Sequence, residues 1–260
     1  MCMNETITVS VMSFNMRNSY AKDGANCFEN RKPRIKEALD QYAPDLIGFQ
    51  EITLAMREWL VATFPQYYMV GAGRNADYSG ECSLIAFKKD LFDLISADTV
   101  MLSSAPAVMG SRYEGSDQSD CPRAYTRVLL KHRSAKEPLC FYNVHTDHIG
   151  EVARILSSQQ MLQDIASHGY RFLLTGDLNA TPDAASIKML AGNTVRPMND
   201  VSAALGDTFH GYGKVEGMKI DYIFASPEFA VKTCERLEDQ PVGGVYISDH
   251  YPIAATLEME

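Results

Sequence analysis

Leu173-Leu174-Thr175-Gly176-Asp177-Leu178-Asn179-Ala180-Thr181-Pro182-Asp183 is the stretch on which the reading of this chain turns. The apolar run Phe172 to Leu174 has the length and character of a short buried strand. Gly176 and then Pro182 break it. Asp177 and Asn179 are therefore expected where a strand leaves the core, two residues apart, with both side chains toward one face. A carboxylate in that position orients a water and draws off its proton, and an amide beside it donates to an anionic oxygen. Asp, Asn and Pro are also ordinary turn residues, and the segment alone favours a turn. Other stretches reverse that preference.

Working outward, Ile7 to Asn15 alternates at Ile7, Val9 and Val11, which predicts a strand whose end presents Asn15. Residues 17–32 read as a polar loop. Pro33 suits the first turn of a helix over Arg34 to Tyr42, with Ile35, Ala38, Leu39 and Tyr42 on one face. Asp45 to Glu51 is a second short strand ending on a carboxylate. Thr53 caps a helix from Leu54 to Phe64 that buries Trp59 and Leu60. Further strands are predicted at 67–71, 82–88, 91–96, 125–132 and 138–145. A long loop rich in Ser, Gly, Asp and Pro runs from Ala97 to Arg123, and loops of that length are usually functional or mobile. Gly150 to His168 reads as a helix burying Val152, Ile155, Leu156, Met161, Leu162 and Ile165. After the central strand come a short helix near 184–190 and strands at 218–225, 229–236 and 252–258. No linker divides the chain, so residues 1–260 are expected to form one domain. Strand, helix and polar-ended strand follow one another in both halves. That order fits an α/β sandwich of two packed mixed β-sheets flanked by helices.

The 260 residues are 46% hydrophobic and 22% charged, ordinary for a soluble globule with a large core. The net charge of −9 argues against tight, sequence-independent binding along a nucleic-acid backbone. A small phosphorylated substrate held by a metal and a few donors is compatible with it. The cysteines at 2, 27, 82, 121, 140 and 234 contain no C-x-x-C pair, so free thiols are expected rather than a zinc site or a disulfide framework. No stretch approaches the ~18 apolar residues of a membrane span. The N-terminus lacks a basic n-region and an apolar h-region. A soluble cytoplasmic chain is therefore expected, although one trimmed of an export signal reads the same. A monomer is the expected state.

Polar residues recur where predicted strands end: Asn15, Glu51, His145, the Asp177/Asn179 pair, Asp221 within Lys219-Ile220-Asp221-Tyr222-Ile223, and Ser248-Asp249-His250 before the last strand. Each has a plain reading alone: a solvated Glu51, a half-buried His145, a turn at Asp249-His250. Asp221 is harder to dismiss, because an unpaired buried carboxylate is costly; His250 is its candidate partner. As an ordered set, Ser13-Phe14-Asn15, Gln50-Glu51, Asn143-Val144-His145-Thr146-Asp147-His148, Gly176-Asp177-Leu178-Asn179, Asp221-Tyr222-Ile223 and Ser248-Asp249-His250 resemble the endonuclease/exonuclease/phosphatase family over nearly the whole chain.

The resemblance implies a four-layer sandwich and metal-dependent hydrolysis of a phosphoester. It implies Glu51 as the principal ligand of Mg²⁺, or of Mn²⁺, with Asn15 and Asp249 as direct or water-mediated ligands. It implies Asp177 positioning the attacking water, Asn179 donating to the phosphoryl oxygen, and His145 donating to the phosphate. His250 contacts the phosphate or acts as base, with Asp221 holding its other nitrogen. Three further residues resemble substrate-side positions. Glu81 resembles an acid supporting His145, or is a surface Glu. Arg123 resembles a phosphate-side arginine, or is a surface Arg. His210 resembles a substrate-side histidine of bacterial members. The expected function is hydrolysis of a small or exposed phosphoester. The alternative is a nuclease, which the acidic balance disfavours. A binding module without activity ranks last, because no member of the set is missing. No basic amphipathic helix or apolar hairpin stands out to dock a bilayer.

Overall fold

The computed structural model describes residues 6–259. The first half contains strands β1 (Ile7–Asn15), β2 (Leu46–Ile52), β3 (Tyr67–Val70), β4 (Cys82–Lys88), β5 (Phe92–Met101) and β6 (Ala124–His132), with helices α1 (Phe28–Tyr42) and α2 (Leu54–Thr63). The second half contains β7 (Leu139–His145), α3 (Glu151–His168), β8 (Arg171–Asp177), α4 (Ala185–Ala191), β9 (Asn199–Asp200), β10 (Asp221–Ala225), β11 (Ala230–Arg236) and β12 (Ile253–Met259). The strands form two six-stranded sheets, ordered β11-β12-β1-β2-β4-β3 and β5-β6-β7-β8-β10-β9. Both are mixed: β1–β2 and β7–β8 are parallel and the other pairs antiparallel. Helices α1 and α3 make the two parallel crossovers. This is the α/β sandwich expected from the order of elements, an inference that depended on recognising a β-α-β unit in each half.

Period-2 alternation sorts the side chains into layers. Val9, Val11, Phe87, Phe141, Leu173, Ile223, Ala255 and Leu257 face inward and fill the space between the sheets. Met12, Phe14, Ile47, Phe49 and Leu84 face outward against Ile35 and Leu39 of α1 and Met56 and Leu60 of α2. Tyr142, Val144, Phe172, Leu174, Tyr222 and Phe224 face outward against Met161 and Ile165 of α3 and Ile187 and Leu190 of α4. No helix among the described residues is long and apolar enough to cross a membrane.

Several boundaries differ from the sequence reading. Helix α1 starts at Phe28, so Pro33 lies inside it. The backbone bond lost at Pro33 is offset by anchoring of the first turn, where Phe28 and Arg31 are buried. Strand β5 runs on to Met101, paired throughout with β6 and bulged between Leu94 and Ser96. Its middle, Asp93 to Asp98, is exposed on both faces and shows no period-2 burial, which hides it from a pattern search, and the long loop begins only at Leu102. In α3 the buried stripe is Ala153, Ser157, Ser158, Met161 and Ile165, while Val152 is 51% exposed. Small side chains there seat the helix against the sheet. Trp59 is half-buried beside Phe28 and Phe64. Strand β10 starts at Asp221, and Met218 makes only an isolated bridge to Phe209. The two-residue β9 was not anticipated. Cys27, Cys82, Cys121, Cys140 and Cys234 are free thiols, of which Cys82 and Cys140 are buried; Cys2 lies outside the described residues.

Candidate active site

The inward face of each central strand changes character along its length. Val9 and Val11 give way to Ser13 and Asn15, Leu46 to Gln50, and Leu139 and Phe141 to Asn143 and His145. Leu173 gives way to Thr175 and Asp177, and Ala225 and Ile223 to Asp221. The parallel pairs bring carboxyl ends together, with Asn15 opposite Gln50 and His145 opposite Asp177. Strand β10 runs antiparallel to β8, so its first residue, Asp221, lies opposite Asp177. All the polar ends therefore meet at one edge of the inter-sheet layer. Gly48 lets the sheets approach there: a Cβ on it would lie 2.0 Å from Thr175 Oγ1 and 2.5 Å from Asn143 Oδ1. Beneath the site, Asn143 donates to the Phe49 and Leu84 carbonyls at 2.7 and 3.0 Å and accepts from Gln50 Nε2 at 2.7 Å. It staples one sheet to the other.

A cavity of about 570 Å³ opens at this edge. Glu51, Arg123, His145, Asp177, Asn179, Asp249 and His250 line it, with Glu81 at its side. Glu51 reaches it by a device that alternation does not provide. Gln50 points inward, so Glu51 should point outward. Two residues of β2 oppose one of β4 between Phe49 and Ile52, and Glu51 takes φ +62°. This bulge turns its carboxylate toward the cavity. Arg17, Asn179 and Tyr212 also line the cavity with positive φ, so four of the six such non-glycine residues among the described residues cluster here. Backbone strain of about 1–3 kcal/mol per residue is concentrated around the site.

The side chains interlock. Asn15 Nδ2 donates to Asp177 Oδ2 at 2.9 Å and to Glu51 Oε1 at 3.2 Å. Glu51 Oε2 accepts from the Asn18 amide and side chain at 2.9 and 2.8 Å. His250 Nδ1 is 2.9 Å from Asp221 Oδ2, the pairing expected from the sequence, and His250 Nε2 is 3.7 Å from Asp177 Oδ2. Burial lowers the proton affinity of His250, but Asp221, Asp177 and Asp249 outweigh it and raise its pKa to about 10. Burial and the Asp221 charge lift Asp177 to about 7, against the opposing pull of His250, Asn179 and Asn15. His145 Nε2 is 3.5 Å from Asp177 Oδ2. Burial and the nearby Arg123 hold His145 well below the usual histidine range. Asp177 ends its strand and Asn179 lies beyond it. The two share the cavity through a local turn, Asn179 N donating to Asp177 Oδ1 at 2.9 Å, rather than through strand alternation.

The three substrate-side expectations fare differently. Arg123 is 4% exposed; Nη2 meets His148 Nδ1 at 2.8 Å, Nε faces Asp147 Oδ2 at 3.6 Å, and Nη1 has no hydrogen-bond partner. Glu81 does not support His145. Its carboxylate pairs with Arg74 at 2.8 Å and accepts from Asn18 at 3.1 Å, and His145 Nδ1 has no hydrogen-bond partner. His210 turns away from the cavity. It packs on Tyr251, with ring centroids 4.2 Å apart, while its neighbours Phe209, Gly211 and Tyr212 form the wall. Asp147 accepts from Ser119, Ile149 and Gly150 and so ties the 102–123 loop to the start of α3.

The donor set suits a hard cation. Burial raises Asp249 and Glu81, and the charge on Glu51 raises both further. Glu51 itself is held low, against its burial, by donors that include the Asn18 amide. Crowded oxygen anions of this kind call for a divalent metal. Asp177, Asp221 and His250 also offer ligand atoms within 4.8 Å of one another.

The fold is that of a family of metal-dependent phosphoesterases, and the buried acidic and histidine cluster fits a metal site. The chain belongs to the Endonuclease/Exonuclease/phosphatase family, whose model matches residues 12–250. It is similar to an endonuclease/exonuclease/phosphatase from Bacteroides vulgatus, at 28% identity and TM-score 0.90 over 98% of this chain and 100% of that one. It is also similar to the Bacteroides thetaiotaomicron mannosyl-6-phosphatase Bt3783, at 27% identity and TM-score 0.85 over 96% and 99%. The human Nocturnin catalytic domain with bound sulfate shares the fold at 16% identity and TM-score 0.77, over 97% and 96%. No curated protein matches the chain.

Proposed function

We propose that this protein is a metal-dependent phosphatase of small phosphorylated molecules, with sugar phosphates as the first candidates. The observation that carries the reading is the convergence of Glu51, Asp177, Asn179, His250 and Arg123 on one cavity of about 570 Å³, with Asn15 hydrogen-bonded to both Glu51 and Asp177. That volume lies in the range of small-molecule sites, roughly 300–1,000 Å³. The similarity to a mannosyl-6-phosphatase supports a sugar monoester, and the net charge of −9 weighs against long nucleic acid.

Glu51, Asn15 and Asp249 hold the metal in this reading. A divalent cation such as Mg²⁺ or Mn²⁺, held there, would supply Lewis acidity toward a phosphoryl oxygen and charge to offset that on the leaving oxygen. Asp177 orients the attacking water. Asn179 uses one N–H on Thr146 O, at 3.2 Å, and keeps the other for a phosphoryl oxygen. Arg123 supplies Nη1, a buried donor without a hydrogen-bond partner. His250, fixed by Asp221, completes the electrostatic clamp on the phosphate.

The test offers the purified protein mannose 6-phosphate, glucose 6-phosphate, a chromogenic phosphodiester and single-stranded DNA, each with Mg²⁺ or with a chelator. Metal-dependent phosphate release from the sugar monoesters is expected. Turnover of DNA alone would replace this reading with a nuclease.

A further inference from the structure

Arg31 is fully buried, and the reaction above does not use it. Its guanidinium donates only to backbone carbonyls: Nε to Asn26 at 2.8 Å, Nη1 to Met16 at 2.7 Å and to Ile247 at 2.8 Å, and Nη2 to Arg17 at 2.8 Å. Met16 and Arg17 follow Asn15 directly, and Ile247 lies two residues before Asp249. The strands that carry these segments, β1 and β12, are laddered only as far as Ser13 opposite Ile253. Beyond that point Arg31 joins them from below. A second tie runs alongside, Ser248 Oγ donating to Asn15 O at 2.6 Å and lying 3.3 Å from Asp249 Oδ1.

We infer that Arg31 is a positioning residue for the divalent metal: it continues the broken ladder and fixes the separation of Asn15 from Asp249. The inference rests on the assignment of the metal to Asn15, Glu51 and Asp249. The residue type matters. A guanidinium presents five donors in one rigid plane, and four of them are used here. An ammonium keeps the charge but cannot reproduce that fork. The Arg31→Lys variant therefore changes geometry while leaving the field at the carboxylates nearly intact.

The test is calorimetric titration of the intact chain with Mn²⁺, together with melting in chelator and turnover across a Mn²⁺ series. Arg31→Lys should raise the Mn²⁺ dissociation constant about tenfold or more, the usual effect of losing support behind a ligand. Its turnover should recover toward wild type at saturating Mn²⁺. Ser248→Ala should shift affinity the same way by about threefold, the scale of one hydrogen bond. A folded Arg31→Lys that melts lower but binds Mn²⁺ as wild type does would overturn the inference and leave Arg31 a structural residue. If that variant does not fold, Arg31→Gln takes its place, and unchanged Mn²⁺ affinity in it overturns the inference. Wild-type protein that binds Mn²⁺ yet hydrolyses no phosphoester refutes the proposed reaction, and the affinity comparison still decides the role of Arg31. Wild-type protein that binds no Mn²⁺ overturns both.

Discussion

The space between the two sheets has two ends built from the same strands. At one end, inward positions carry Val9, Phe87, Leu130, Leu139 and Leu257, packed into one apolar cluster. At the other, the same inward faces carry Asn15, Gln50, Asn143, Thr175 and Asp177, all buried and hydrogen-bonded. Only the residue type at alternate positions differs. The apolar end holds the sheets together by burial. The polar end spends part of that stability on crowded carboxylates and strained backbone, and gains a rigid site. Stability and chemistry should therefore be separable by mutation along a single strand.

The largest separation is expected at the polar end. Asp177→Asn and His250→Ala should each lower turnover by about 10²–10⁴-fold, the range for loss of a positioned acid–base group. Asp177→Asn should melt no lower than wild type, because it removes a buried carboxylate that faces Asp221. Near-wild-type rates in both variants would break the division. Phe141→Ala, one step down β7, should do the reverse. It should cost about 3–5 kcal/mol of stability while activity per folded molecule is kept. Denaturant unfolding paired with turnover checks it.

Gly48→Ala sits on the boundary and should fail both ways. Its Cβ would strike Thr175 and Asn143, and overpacking of this kind costs about 1–3 kcal/mol. Turnover should fall too, because Asn143 steadies Gln50 beside the Glu51 bulge. A loss of stability alone would mean that the staple does not reach the site. The smallest effect concerns His132 at the apolar end, edge-on to Phe92 with ring centroids 5.2 Å apart. Burial holds it below its ordinary value of 6.5. The unfolded chain therefore takes up the proton first, so this contribution is intact above pH 6.5 and is lost as pH falls below it. Melting temperature against pH should fall less steeply on the acid side in His132→Asn than in wild type.

Much of this division is legible in the sequence. The step from Val9 and Val11 to Ser13 and Asn15, and from Phe141 to Asn143 and His145, is written in period 2 and needs no tertiary information. The partnership of Asp221 with His250 follows from the cost of burying a lone carboxylate. What escapes is geometry set by contacts across the chain. The Gln50–Glu51 bulge depends on pairing with β4. The role of Arg31 depends on carbonyls as distant as Ile247. Helix α1 keeps Pro33 because its first turn is anchored elsewhere, which local propensity does not register. Glu81 loses its expected partner to Arg74, and His210 turns its ring onto Tyr251. Both outcomes are decided by neighbours that no short motif contains.

The most direct test of the account is a crystal of the protein soaked with Mn²⁺ and analysed by anomalous scattering. The account predicts a single strong peak in contact with the Glu51 carboxylate, bordered by Asn15 and Asp249. A peak seated between Asp221 and His250, with the Glu51 carboxylate bare, would contradict it.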